Sequence, residues 1–151
     1  VKGDIVPEGG RVSHVVYCLE GAHVEEALTF WRDGLGAEFE SIEIDGSGLR
    51  IMFAEEAGVE IIAPADGTDG QRSLASSFLA EHGEGVFGIV YRVRSLDDAT
   101  EAVGRVGGDV VRRVSFTGTA PWSIRFDALE EAHLVPLHGM RVTLGKIEYK
   151  D

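Results

Sequence analysis

His14 and Glu60 are the two residues whose types and positions most suggest chemistry. His14 lies inside RVSHVVYCL (residues 11–19) and Glu60 inside VEIIAP (residues 59–64), both apolar, β-branched runs. A lone imidazole in such a run reads as an ordinary packed side chain. A carboxylate among residues bound for the interior must be paired, ligated or turned toward a cavity. If the two runs pair so that both side chains share a face, they make either an acid–base pair or half of a metal site. The plain alternative is an edge strand that leaves Glu60 in water.

A second group could hold a ligand. Arg92, Arg125 and Arg141 fall in predicted strands; a strand arginine usually lies at an edge, but one turned inward anchors a carboxylate or phosphate. Strand alternation gives Arg141 and Thr143 the same face. Trp122 follows Pro121 at a loop–strand junction, where the mouth of a cavity would lie. Arg92, Trp122, Arg141 and Thr143 are therefore the candidate substrate contacts. Phe30 and Trp31 read as core, Cys18 as a buried inert thiol, His82, His133 and His138 as solvated, and Glu130-Glu131 as turn surface. The glycines around Glu84 (residues 83–85) are weak evidence for a phosphate loop, since no GxGxxG or Walker pattern is present.

Those residues need elements to hold them. The first predicted strand is 11–19, followed by a helix over 23–35 whose Val24, Ala27, Leu28 and Trp31 recur at helical spacing. Strands follow at 37–44, 49–53 and 59–63, the first two joined by Asp45-Gly46-Ser47-Gly48. After a polar stretch and a helix over 74–82, a strand is predicted at 86–93. A helix opened by Ser95 with Asp97 and Asp98 comes next and ends at Gly107-Gly108. Strands at 109–114, 122–128 and 140–149 complete the chain. The same βαβββ order thus occurs twice. The expected organisation is a loose arm (1–10), a first module (11–64), a linker with a short helix (65–85) and a second module (86–149).

Bulk properties narrow the function classes. The chain has 151 residues and a formal charge of −12, which argues against a nucleic-acid backbone as partner. One cysteine excludes an intrachain disulfide and a cysteine zinc cluster. No apolar run reaches the ~20 residues of a membrane helix, and VKGDIVPEGG lacks a signal-peptide core. These features lead to the expectation of a cytoplasmic protein acting on a small molecule, with no nucleic-acid or membrane partner.

The repeated βαβββ order, the RVSHVVY opening, the VEIIAP strand and the run FLAEHGEGVFGIVYRVRSLDDA together resemble the vicinal oxygen chelate superfamily. That group includes glyoxalase I, extradiol dioxygenases, bleomycin-resistance proteins and methylmalonyl-CoA epimerase; the resemblance is nearest the epimerase and glyoxalase branch and covers residues 11–149. It implies an α+β fold in which two βαβββ modules form an open, cavity-enclosing mixed sheet, and a homodimer. In metal-dependent members two ligands come from each module, and the cation stabilises an enolate as a Lewis acid. Here His14 and Glu60 match the first module's ligands. Gly88 stands where the second module would place a histidine, and Thr143 (or Gly145, two residues on) where it would place a glutamate.

The resemblance therefore leaves three readings. In one, His14 and Glu60 serve as a metal-independent acid–base pair in an isomerase- or lyase-type enzyme. In another, the protein sequesters a drug or other ligand without chemistry, as bleomycin-resistance proteins do. In the third, a divalent metal ion is the cofactor, held by His14 and Glu60 in an atypical shell.

Overall fold

The computed structural model describes residues 6–118 and 120–150. The expected loose arm over residues 1–10 lies partly outside them. The fold class is α+β. The chain divides into two compact units, with residues 14–87 in one and the residues from 88 onward in the other, together with those before 14.

In the first unit, β1 (Arg11–Cys18) pairs in parallel with β4 (Val59–Pro64). β4 continues antiparallel to β3 (Leu49–Ala54), which pairs antiparallel with β2 (Glu40–Ile42). Between β1 and β2 the chain makes a 3-10 turn (Gly21–His23), helix α1 (Val24–Thr29) and one π-helical turn (Phe30–Gly34). Val24 and Leu28 of α1 pack on Met52, Val59, Ile61 and Ala63, joined by Tyr17, Ala27 and Trp31. One face of this sheet is thereby sealed, each large side chain contributing about 1.5–3 kcal/mol of burial. The widened final turn changes the helical phase, so Phe30, expected in the core, is 61% exposed.

On the opposite face, α3 (Leu74–His82) lies against β4. It covers the Cys18 end, where the thiol donates to the carbonyl of Ala75 (3.7 Å). Ser73 caps α3 by accepting from the amide of Ser76 (3.2 Å). A single helical turn, α2 (Thr68–Gln71), precedes it within the expected polar loop. The glycines at 83 and 85 have φ of +76° and +154°; they turn the chain out of α3 and into the next strand rather than cradling a phosphate. Glu84 between them accepts from the amide of Glu20 (3.0 Å) and pairs with Nδ1 of His23 (2.8 Å).

The second unit repeats the plan. β5 (Gly85–Arg92) pairs in parallel with β8 (Val142–Tyr149). β8 is antiparallel to β7 (Phe126–Leu134), and β7 to β6 (Val110–Ser115). Helix α4 (Leu96–Arg105) seals one face through Leu96, Ala99 and Val103 against Ala132, Leu134, Val142 and Leu144. Ser95 caps it by accepting from the amide of Asp98 (3.2 Å).

Two expectations for this half are corrected. Residues 121–123 form a 3-10 turn, not the start of a strand: Pro121 opens it, and Ser123 Oγ accepts from the amide of Ala120 (3.1 Å) while donating to its carbonyl (2.7 Å). Glu130, Glu131 and His133 are not turn or loop residues; they sit within β7 and are half-buried.

Candidate functional site

The register of the first module brings His14 and Glu60 together. Glu60 is the cross-strand partner of Val16, two residues beyond His14 on the same face of β1. Its Oε1 lies 3.5 Å from Nε2 of His14, with side-chain exposures of 23% and 7% for Glu60 and His14. Phe53, directly across β4's other edge from Glu60, meets the imidazole edge-on at 4.8 Å between ring centroids. All three side chains occupy the face opposite α1, toward the end that α3 does not cover. At 3.5 Å the contact is longer than an ordinary hydrogen bond. An imidazole beside a carboxylate on an otherwise apolar face can pass a proton, or can supply two donors to a cation.

The second module shows what has become of the corresponding places. Val90 pairs with Thr143 just as Val16 pairs with Glu60, so Thr143, not Gly145, takes the position of Glu60. Gly88 correspondingly takes the position of His14. A Cβ at residue 88 would lie 2.5 Å from the carbonyl oxygen of Arg141 and 3.0 Å from its Cβ. No side chain enters there without moving the neighbouring strand, and a hydroxyl at 143 is a poor substitute for a carboxylate. Among the described residues, no group of three or more His, Cys, Asp and Glu side chains could hold a metal ion. The donor set does not fit the four-ligand shell of a divalent cation.

The other candidates are placed as follows. Arg92 is 7% exposed; its guanidinium donates to the carbonyl of Ile147 (2.5 Å) and stands 5.6 Å over the ring of Tyr149, so it braces the second module. Trp122 is half-buried in an apolar cluster with Phe126, Leu129 and Ile147, its ring 5.8 Å from Phe116. Thr143 is 9% exposed and directly opposite His133 of β7. Arg141 is half-buried, its Cβ and Cγ packed over Gly88. Arg125 stacks on Phe126 at 5.0 Å. A hollow of about 520 Å³ lies beside the Trp122 turn, lined by Thr117, Ile124, Phe126, Asp127 and Lys150 among others; none of the candidate residues lines it.

One feature of the second module was missed in the sequence. Glu131 and His133 share a face of β7, with Oε1 and Nε2 3.5 Å apart and side-chain exposures of 21% and 28%. Their period-2 spacing with Leu129 was the available signal. Two consecutive glutamates, which read as a turn, obscured it.

Shifted acidities occur at the exposed His23–Glu84 contact. His23 is raised above its ordinary 6.5 by its hydrogen bond to Glu84 and by that group's charge. Glu84 is lowered below 4.5 by its hydrogen bond to His23 and by the Glu20 amide.

Solved structures share this architecture. A hypothetical protein from Bacillus halodurans aligns over 94% of this chain and 97% of its own, with TM-score 0.71 and 16% identity. Methylmalonyl-CoA epimerase from Mycobacterium tuberculosis aligns over 99% and 95%, with TM-score 0.70 and 19% identity. The Streptomyces coelicolor epimerase, solved with 2-nitronate-propionyl-CoA, aligns over 91% and 96%, with TM-score 0.68 and 18% identity. No protein-family profile and no curated protein sequence matches the chain. The chain therefore has the same fold as these epimerases, the α+β arrangement that the sequence resemblance implied. Within that fold the solved structures it is similar to include methylmalonyl-CoA epimerases. At these identities the likeness defines the fold; activity has to be argued from the site. No helix among the described residues is long and apolar enough to cross a membrane.

Proposed function

We propose that the protein is a small-molecule isomerase- or lyase-type enzyme that moves a proton on a carbon next to a carbonyl, without a metal, through His14 and Glu60. The observation that carries this reading is the 3.5 Å approach of a largely buried imidazole to a carboxylate on the face that α1 leaves uncovered. Glu60, the more exposed of the two, takes the proton from carbon, and the C–H electron pair passes into the enolate. His14, wedged against Phe53, orients the carboxylate and exchanges the proton with it; return of the proton to carbon completes the isomerisation. General acid–base catalysis of this kind contributes about 10²–10⁴-fold in rate. The epimerase neighbours, one solved with methylmalonyl-CoA, support a carbonyl-activated carbon acid as the substrate class. A homodimer in the cytoplasm remains part of this reading.

The test is solvent deuterium exchange into methylmalonyl-CoA, followed by NMR, for the wild type, Glu60→Gln and His14→Gln. Exchange catalysed by the wild type and slowed by roughly 10²-fold or more in Glu60→Gln supports the proposal. A ligand bound stoichiometrically and returned unexchanged would replace it with the sequestering reading. Exchange that disappears on chelation and returns with added metal would replace it with a metalloenzyme.

A further inference from the structure

The second module carries a titratable pair that the mechanism above does not use. Glu131 and His133 lie on the face opposite α4, which packs on Ala132, Leu134, Val142 and Leu144. The other end of that face is plugged by the Trp122 cluster, through Leu129 and Ile147. Between plug and strand ends remain Glu131, His133, Thr143 and Arg141. His133 faces Thr143 on β8 and Arg112 on β6. Thr143 is the counterpart of Glu60, so His133 is the counterpart of Phe53, one strand further out. Within the second module it therefore occupies the position equivalent to the face of the reactive pair in the first.

Chemistry favours a role over mere packing. Nε2 of His133 is a buried atom with no hydrogen bond among the described residues, yet Glu131 Oε1 stands 3.5 Å from it. Leaving a buried polar nitrogen unsatisfied is destabilising. Apolar side chains at 131 and 133 would pack this half-covered face without that penalty. The position that would have carried a ligand, Gly88, is closed by Arg141, whose guanidinium brings positive charge to the same module.

We propose that Glu131 and His133 form a second acid–base pair, acting on the same class of carbon acid as His14 and Glu60. This rests on the function proposed above. His133 accepts the proton as the C–H electron pair moves into the enolate, giving an imidazolium held by the Glu131 carboxylate, and returns that proton to carbon in the reverse step. Glu131 is the positioning residue: it fixes which ring nitrogen carries the proton in the resting state.

Two measurements decide it. Long-range ¹H–¹⁵N correlation reads the tautomer of His133 and needs no substrate. The proton is expected on Nε2 in the wild type, and Glu131→Gln should remove that bias; a resting Nδ1–H form, or a tautomer indifferent to Glu131→Gln, overturns the pairing. Deuterium exchange into methylmalonyl-CoA then reads the role. In a Glu60→Gln background, His133→Gln is expected to lose tenfold or more of the residual exchange, and Glu131→Gln, less disruptive to folding, less. If the wild type exchanges and neither variant lowers the residual rate of Glu60→Gln, this inference fails while the His14–Glu60 reading stands. If the wild type does not exchange at all, both fail.

Discussion

Replacing Gly88 with alanine isolates one claim: that the second module's missing ligand position is closed by backbone. In a strand, glycine to alanine normally helps, since alanine loses less conformational freedom on folding. Here the added Cβ would stand 2.5 Å from a carbonyl oxygen and 3.0 Å from the Cβ of Arg141. The first neighbour is main chain in β8's approach, so it cannot swing aside as a side-chain tip could. Overpacking of this sort costs about 1–3 kcal/mol. Taking about 2 kcal/mol and a urea m-value of about 2 kcal/mol/M, the midpoint falls by about 1 M. The Tm falls by about 4–8 °C for a chain of this size. Gly104, in α4, is the internal control: its new Cβ meets nothing within 4 Å, and Gly104→Ala should gain about 0.5–1 kcal/mol. Equilibrium urea unfolding, followed by circular dichroism, measures both. Opposite signs support the closure. A Gly88→Ala protein as stable as the wild type would refute it, and so would a Gly88→His protein that folds normally and binds one equivalent of zinc.

Two further outcomes follow from features elsewhere in the fold. Ile61→Ala, at a site 1% exposed beneath α1, should cost about 2–5 kcal/mol through lost transfer energy plus the cavity left behind, read by the same unfolding assay. The His23–Glu84 contact should vary with pH in both directions. His23 is raised above 6.5, so its contribution is full below that pH and is lost as pH rises through the raised value. Glu84 is lowered below 4.5, so its contribution is present above that pH and is lost as pH falls through the lowered value. The contact is therefore strongest between about pH 4.5 and 6.5; an NMR titration of His23 should show the raised midpoint, and Glu84→Gln should lower it.

The sequence was most legible where one physical signal dominated. β1 follows from an unbroken β-branched and aromatic run, and α4 from a serine cap, two acids in its first turn and a Gly-Gly stop. His14 and Glu60 could be proposed as a pair because a carboxylate inside VEIIAP has few comfortable environments. β7 failed for the opposite reason. Its FDALEEAHL run puts Ala132 and Leu134 under a helix and Glu131 and His133 on the other face, so polar residues occupy strand positions that local hydropathy assigns to a turn. Trp122 was placed at a cavity mouth by its proximity to Pro121, but a proline can equally start a 3-10 turn, and that turn folds the indole into an apolar cluster. The choice between Thr143 and Gly145 needed the inter-strand register, which no local pattern encodes.

The hydrogen bonds made by residues 6–10 bear on how the molecule is assembled during synthesis. Tyr91 Oη donates to the carbonyl of Gly9 (2.9 Å), across 82 positions, and Arg94 Nε donates to that of Val6, across 88. Gly10, with φ of +82°, fits beneath the Tyr91 ring, where a Cβ would come within 2.5 Å of the ring and 2.7 Å of the Arg92 carbonyl. Residues 14–87 form a contiguous unit that is complete as soon as it leaves the ribosome. The other unit closes only when residues translated ahead of the first module meet strands made more than 80 positions later. A pause in translation near residue 88 would leave residues 6–10 without the strand that secures them.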